Sequence, residues 1–197
     1  SKCIEKGIIS EKEFSKIDSK VKQMIEDETD YVEERPNPEP DSAAKHLFSH
    51  SCLIEEQSTL EPSSVGDKIV MVDSINHALS EELELNDKML IYGEDVGGDK
   101  GGVFTATRGL TKEFGKDRVF NSPLAESSIV GTAIGLSVAG YKPVVEIQFG
   151  DYIWPAMMQI RNEVATMRYR SNGNWSCPLV IRVPVGGYIH GSLYHSQ

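Results

Sequence analysis

The chain has 197 residues, with 20 basic and 30 acidic side chains and a formal net charge of −10, which argues against a nucleic-acid or anionic-membrane surface. Hydrophobic residues at 39% and charged residues at 25% suit one core with appendages, and no apolar run approaches the roughly 18 residues that cross a bilayer. Three scattered cysteines, Cys3, Cys52 and Cys177, form no CxxC pair and point to a reducing compartment rather than a secreted disulfide framework.

Ser1 in place of Met, and an end at Gln197 that looks unfinished, read as a piece of a longer polypeptide. Charge divides the chain in two. Residues 1–64 carry 8 basic and 15 acidic side chains with one Gly, whereas residues 65–197 carry 12 and 15 and hold 16 of the 17 Gly. In the first region Ser10-Glu11-Lys12-Glu13 forms a capping box, so a helix starts there. Phe14, Ile17, Val21, Met24, Ile25, Tyr31 and Val32 follow at helical spacing and make an apolar stripe with no partner in its own region. The alternating prolines Pro36, Pro38 and Pro40 end it. Residues 1–35 are therefore expected to be a helical tail, and residues 36–64 a polar, Pro-containing linker.

The second region alternates strands and helices. A helix is marked by Val72, Ile75, Leu79 and Leu83, a buried strand by Met89 to Tyr92, a short helix by Thr111 to Phe114 and a strand by Val119-Phe120. Ser127 to Ala139 reads as a small-residue helix capped by Gly140, Pro143 to Phe149 as a strand, Tyr152 to Arg170 as one long helix with Pro155 in its first turn, and Leu179 to Val183 as the last strand. This order predicts an α/β fold for residues 65–197, a parallel sheet with helices on both faces. Ligands in such sheets sit beyond the carboxyl ends of the strands.

Several residue groups there invite chemistry. The loop Gly97-Gly98-Asp99-Lys100-Gly101-Gly102 lacks both GxxxxGK[ST] and a GxGxxG opening a helix, and Glu94, Asp95 and Asp99 would repel an anion, so it reads as a plain loop. His46, His50 and Cys52 have metal-ligand spacing but no fourth ligand in a polar linker. Glu126 opens a helix of small apolar residues. It is either a first-turn glutamate favoured by the helix dipole or a carboxylate in a partly dry junction that exchanges a proton with a bound heterocycle. Gln148 and Tyr152 flank the next junction and would line one crevice with Glu126. His190 and His195 follow the last strand and, taken alone, read as loop histidines.

Taken together, Gly93-Glu94-Asp95-Val96, Arg108-Gly109-Leu110, Ser122 to Glu126, Glu146-Ile147-Gln148-Phe149, Arg168-Tyr169-Arg170 and Leu193-Tyr194-His195-Ser196-Gln197 resemble the beta subunit of thiamine-diphosphate-dependent 2-oxoacid dehydrogenases, the branched-chain type most closely. The resemblance spans residues 69–197. It implies that residues 65–197 are a transketolase-type pyrimidine-binding domain, C-terminally incomplete. Residues 1–35, through Glu5-Lys6-Gly7-Ile8-Ile9-Ser10-Glu11, resemble the tail of the family's alpha subunit, as in the junction of a fused alpha–beta polypeptide.

The resemblance also assigns roles. Glu126 matches the glutamate that bonds the aminopyrimidine ring nitrogen and favours the tautomer that removes the thiazolium proton. Leu124 would pack on the pyrimidine, Gln148 would line its pocket and Tyr152 would stack on the ring. His195 matches the histidine that contacts the 2-oxoacid and aids acyl transfer to lipoamide. A potassium site would fall at Cys177, Leu179 and Val180, where Val180 lacks the usual hydroxyl. Magnesium and the diphosphate would be held by an alpha-type half through a Gly-Asp-Gly motif that these residues do not contain.

The implied activity is oxidative decarboxylation of a branched-chain 2-oxoacid, inactive in the isolated piece. The alternatives are a pyruvate-specific relative and a noncatalytic assembly module of the same fold. The implied partners are the alpha-type half, a lipoyl-bearing dihydrolipoyl acyltransferase and dihydrolipoyl dehydrogenase, in an oligomer. The implied compartment is the bacterial cytoplasm or the mitochondrial matrix.

Overall fold

A computed structural model of the chain describes residues 2–48, 66–186 and 194–196. His50, Cys52 and His190 lie outside the described residues. The chain divides into two compact units, Ser1–Ala43 and Ala44–Gln197.

The first unit holds a short helix α1 (Lys2–Glu5), a long helix α2 (Glu11–Glu33) and most of a 3-10 turn, Pro40–Ala44. Helix α2 starts at the expected capping box. The Glu13 amide donates to Ser10 Oγ at 3.2 Å, and the Ser10 amide donates to Glu13 Oε2 at 2.9 Å, satisfying two free donors reciprocally. These bonds hold the Glu13 carboxyl below its ordinary range. Phe14, Ile17, Val21, Met24 and Val32 are exposed along α2.

The second unit is an α/β domain. Helix α3 (Met71–Leu85) leads to β1 (Met89–Gly93), then come α4 (Leu110–Phe114), β2 (Val119–Asn121), α5 (Glu126–Val138), β3 (Lys142–Glu146), α6 (Met157–Gln159), α7 (Met167–Arg170) and β4 (Val180–Arg182). All strand pairs are parallel, in the order β2-β1-β3-β4. Successive side chains of a strand face opposite ways, and the core follows that rule. Met89, Ile91 and Val144 pack with Leu79 and Leu83 of α3 and with Leu110 and Phe114 of α4. Tyr92, Val145 and Ile181 pack with Ile129 and Ala133 of α5. Helices therefore cover both faces, as expected. Among the described residues no helix is long and apolar enough to cross a membrane.

Gly140 ends α5 as anticipated. At φ +89 it donates its amide to Ser137 O, while the Tyr141 amide reaches back to Leu136 O, the paired bonds of a Schellman cap.

The long helix expected over Tyr152 to Arg170 is broken. It runs as a 3-10 helix (Gly150–Ala156), the short α6, a π-helical turn (Ile160–Val164) and, after a two-residue turn, α7. Pro155 lacks an amide donor for the first turns. The π turn inserts one residue, closed by the Ala165 amide on Ile160 O, and Ile160, Val164 and Met167 all pack on the same core. The last two strands are also shorter than expected, and β3 stops at Glu146 rather than Phe149.

Strand β2 lies on one side of β1 and β3 on the other, so the chain reverses its winding there. The carboxyl ends of β1 and β3 form the crevice where such sheets hold ligands.

Candidate functional site

Glu94 and Asp95 follow β1 directly. Glu94 is only 1% exposed, and its Oε2 accepts the Gln148 main-chain amide at 3.2 Å. Its Oε1 is buried without a hydrogen-bond partner among the described residues. Burial pushes the Glu94 carboxyl above its ordinary range; the Gln148 amide opposes this, and the neighbouring Glu126 and Asp95 carboxylates reinforce it. Asp95 adopts a left-handed backbone, φ +58. Its Oδ1 takes Lys100 Nζ at 2.6 Å, and its Oδ2 takes Gln148 Nε2 at 2.8 Å.

Behind this pair lies a buried ion pair. Arg182, ending β4, bonds Glu146, ending β3. Burial still outweighs the arginine and pushes the Glu146 carboxyl upward. Gly102, at φ +81, brings its backbone against this carboxylate, where a Cβ would sit 3.2 Å from Glu146 Oε1.

After β3 the chain turns into an aromatic cluster. The Phe149 ring lies edge-to-face with Phe104, Tyr152 and His195 at centroid distances of 6.3, 5.5 and 4.4 Å. Tyr152 and His195 are 5.7 Å apart and tilted by 38°. The Asp151 amide donates to His195 O at 2.9 Å, and Ser196 Oγ donates to Gly186 O at 2.9 Å. Gly150 leaves room for this segment, since a Cβ there would lie 2.9 Å from Val185 Cγ1 and 3.4 Å from Ser196 Cβ.

Tyr152 and His195 are thus brought together on Phe149 after β3, while Gln148 is bonded to Glu94 and Asp95 at the end of β1. Glu126 is half-buried at the first position of α5, near enough to Glu94 to act on its ionisation. Leu124 is not packed into this group but is 76% exposed. Cys177, Leu179 and Val180 lead into β4, where the Leu179 amide donates to Cys177 O at 2.9 Å and Val180 is exposed. Burial raises the Cys177 thiol, with a bond to Ser137 opposing it. None of these three side chains carries an oxygen, so only main-chain oxygens could face an ion there. Among the described residues no group of three or more His, Cys, Asp or Glu is placed to hold a metal.

Reading the sequence missed Glu94, Asp95, Phe149 and Arg182 as parts of the site. The signal was present for the first two, because an acidic pair directly after an apolar strand sits at a ligand crevice rather than on a plain surface.

The arrangement suits an uncharged heterocycle better than an anion. It offers an amide, a tyrosine ring, an imidazole and carboxylates. The two cations that bond to residues at these strand ends are already paired, Lys100 with Asp95 and Arg182 with Glu146.

Comparison with known proteins points the same way. The family described as transketolase, pyrimidine binding domain, matches residues 67–197. The 2-oxoisovalerate dehydrogenase subunit beta of Bacillus subtilis (strain 168) is 54% identical over 126 residues, covering 64% of this chain and 38% of that protein. The pyruvate dehydrogenase E1 component subunit beta of the same organism is 48% identical over 130 residues, covering 66% and 40%. The mitochondrial 2-oxoisovalerate dehydrogenase subunit beta 2 of Arabidopsis thaliana is 49% identical over 142 residues, covering 71% and 39%. The chain spans about two fifths of the length of these curated relatives.

Proposed function

The chain belongs to the transketolase pyrimidine-binding domain family, and from that premise we propose that it forms the cofactor-activating half-site of a thiamine-diphosphate-dependent 2-oxoacid dehydrogenase. The observation that carries this reading is the seating of His195 against Phe149 and Tyr152 in the turn that follows β3, where Gln148 bonds across to Glu94 and Asp95 after β1. Identity to dehydrogenase beta subunits supports it.

In this reading Tyr152 stacks on the pyrimidine, Gln148 lines its edge, and Leu124, open to solvent, meets the ring when the site is completed. Glu126 holds a proton against the ring nitrogen and exchanges it. Thiamine diphosphate, when bound, supplies the electron sink for loss of carbon dioxide. His195 orients the 2-oxoacid and assists acyl transfer to a lipoyl group.

The diphosphate and its magnesium fall to an alpha-type half, whose tail residues 1–35 resemble. A potassium ion would rest on main-chain oxygens of Cys177, Leu179 and Val180. The working assembly includes a lipoyl-bearing acyltransferase and dihydrolipoyl dehydrogenase, in the mitochondrial matrix for a eukaryotic chain and in the cytoplasm for a bacterial one.

The substrate is a branched-chain 2-oxoacid. Pyruvate is the second reading, supported by the 48% identity to a pyruvate dehydrogenase subunit, and a substrate panel on the assembled enzyme separates the two. The test of the central reading is Glu126→Gln in the assembly. An amide cannot return the proton, so decarboxylation should fall about 10²-fold or more while assembly persists. Wild-type turnover would remove Glu126 from the chemistry, and cofactor titration into the full assembly separates this reading from a noncatalytic assembly module.

A further inference from the structure

We infer that Asp95 is a positioning residue that sets which end of the Gln148 amide faces the ligand. A carboxylate only accepts hydrogen bonds, so the 2.8 Å contact from Asp95 Oδ2 selects the amide nitrogen of Gln148 and leaves its carbonyl oxygen for the pocket. Gln148 then presents an acceptor, suited to an N–H donor on the bound heterocycle.

Three further observations bear on the same point. The Gln148 main chain is fixed separately, by its amide on Glu94 Oε2, so neighbouring acids hold backbone and side chain of one residue. Asp95 reaches its partner from a left-handed backbone that residues other than glycine seldom adopt, and the Gly102 amide fastens that turn by donating to Asp95 O at 2.9 Å. Lys100, carried back by the Gly-rich loop, occupies the other Asp95 oxygen and offsets the charge of two adjacent acids. The loop that reads as plain surface in sequence thereby acquires a task, which is to keep Asp95 turned toward Gln148.

This inference rests on Gln148 lining the cofactor pocket. Its test is the equilibrium dissociation constant of thiamine diphosphate, measured by dialysis with magnesium on the assembled enzyme, for Asp95→Asn, Gln148→Glu and the double variant. Asparagine can offer nitrogen or oxygen, so the glutamine loses its preferred face and affinity should fall about tenfold. Gln148→Glu sets two carboxylates against each other and should fall at least as far. The double variant exchanges donor and acceptor at unchanged net charge, leaves an oxygen facing the ligand, and should return to within about threefold of wild type.

Failure of the double variant to recover, or unchanged affinity in Asp95→Asn, overturns the positioning role. If Glu126→Gln still abolishes turnover in that case, the proposed function stands without it; if Glu126→Gln is also silent, that reading falls too. Should Asp95→Asn fail to assemble, the side-chain amide resonances of Gln148 in the 197-residue chain decide. Their displacement in Asp95→Asn supports the contact, and resonances indifferent to Asp95 refute it.

Discussion

The imidazole of His195 lies 4.4 Å from the ring of Phe149 at an interplanar angle of 84°, and the Asp151 amide two residues beyond that phenylalanine holds the histidine's own carbonyl. One segment, the turn after β3, thus fixes both the backbone and the ring of a residue more than forty positions away in sequence. Edge-to-face pairs of this kind contribute about 0.5–1.5 kcal/mol beyond area burial, which favours one orientation of the half-buried imidazole beside Tyr152.

His195→Ala should impair acyl transfer to a lipoyl domain at least as much as it impairs decarboxylation, because the proposed role of the imidazole lies with the reacting acyl group. Phe149→Leu keeps much of the volume but loses the ring, so it should slow the same step by a smaller factor, up to about tenfold. Single-turnover kinetics with a lipoyl domain on the assembled enzyme resolve the two steps. An unchanged transfer rate in His195→Ala would return the residue to an ordinary loop histidine.

Glu94 gives the fold a pH dependence of known sign. Its native carboxyl keeps its proton to higher pH than the ordinary value of 4.5, with burial as the main cause. Its contribution to stability is therefore complete below about that value and is lost as pH rises through the native pKa. Glu94→Gln removes the charge that burial penalises and keeps an oxygen for the Gln148 amide. The variant should melt higher than wild type at pH 7, and the advantage should vanish below pH ~4.5. Thermal melts at both pH values check this; equal or lower stability of the variant at pH 7 contradicts it.

The sheet tolerates little change where β1 meets β3. A Cβ on Gly93, at φ +152, would lie 2.1 Å from Glu146 O, which is backbone and cannot yield. Gly93→Ala should therefore part the strands and leave no cooperative melt. Arg182→Met removes the partner of a carboxylate that is 1% exposed, and should cost about 3–5 kcal/mol in denaturant titration. Glu146→Gln should cost less, because the arginine is the more exposed partner and can turn to water.

The elements that follow one periodic signal were legible in the sequence. Met89 to Tyr92 is an uninterrupted apolar run and forms β1, and the Ser10 capping box opens α2. Gln148 and Phe149 look strand-like and so predict a longer β3, yet the Gln148 amide goes to Glu94 instead of a neighbouring strand. Apolar spacing predicts a continuous helix after it because such spacing cannot reveal a single inserted residue, which the π turn supplies. In the site, Gln148, Tyr152 and His195 came forward through local pattern and resemblance. Asp95 did not, because its importance lies in a bond to a residue 53 positions away. Leu124 was expected to pack but lies open, since the surface that would cover it is not supplied by the described residues.

The 197-residue chain by itself should bind thiamine diphosphate no more tightly than about millimolar. Most of the ligand's charge is on the diphosphate, and this chain carries a net charge of −10. Lys100 and Arg182 are committed to Asp95 and Glu146, so neutralising a phosphate with either would strand an acid. What remains is ring stacking on Tyr152 and a few hydrogen bonds from Glu126 and Gln148, worth a few kcal/mol, most of which the entropy of association consumes. Calorimetry with cofactor and magnesium at micromolar protein should give no saturable isotherm. Saturation in the micromolar range would require a phosphate site within these residues, with the Gly97 to Gly102 loop and its lysine as the first place to look, and a half-site could then no longer describe the chain.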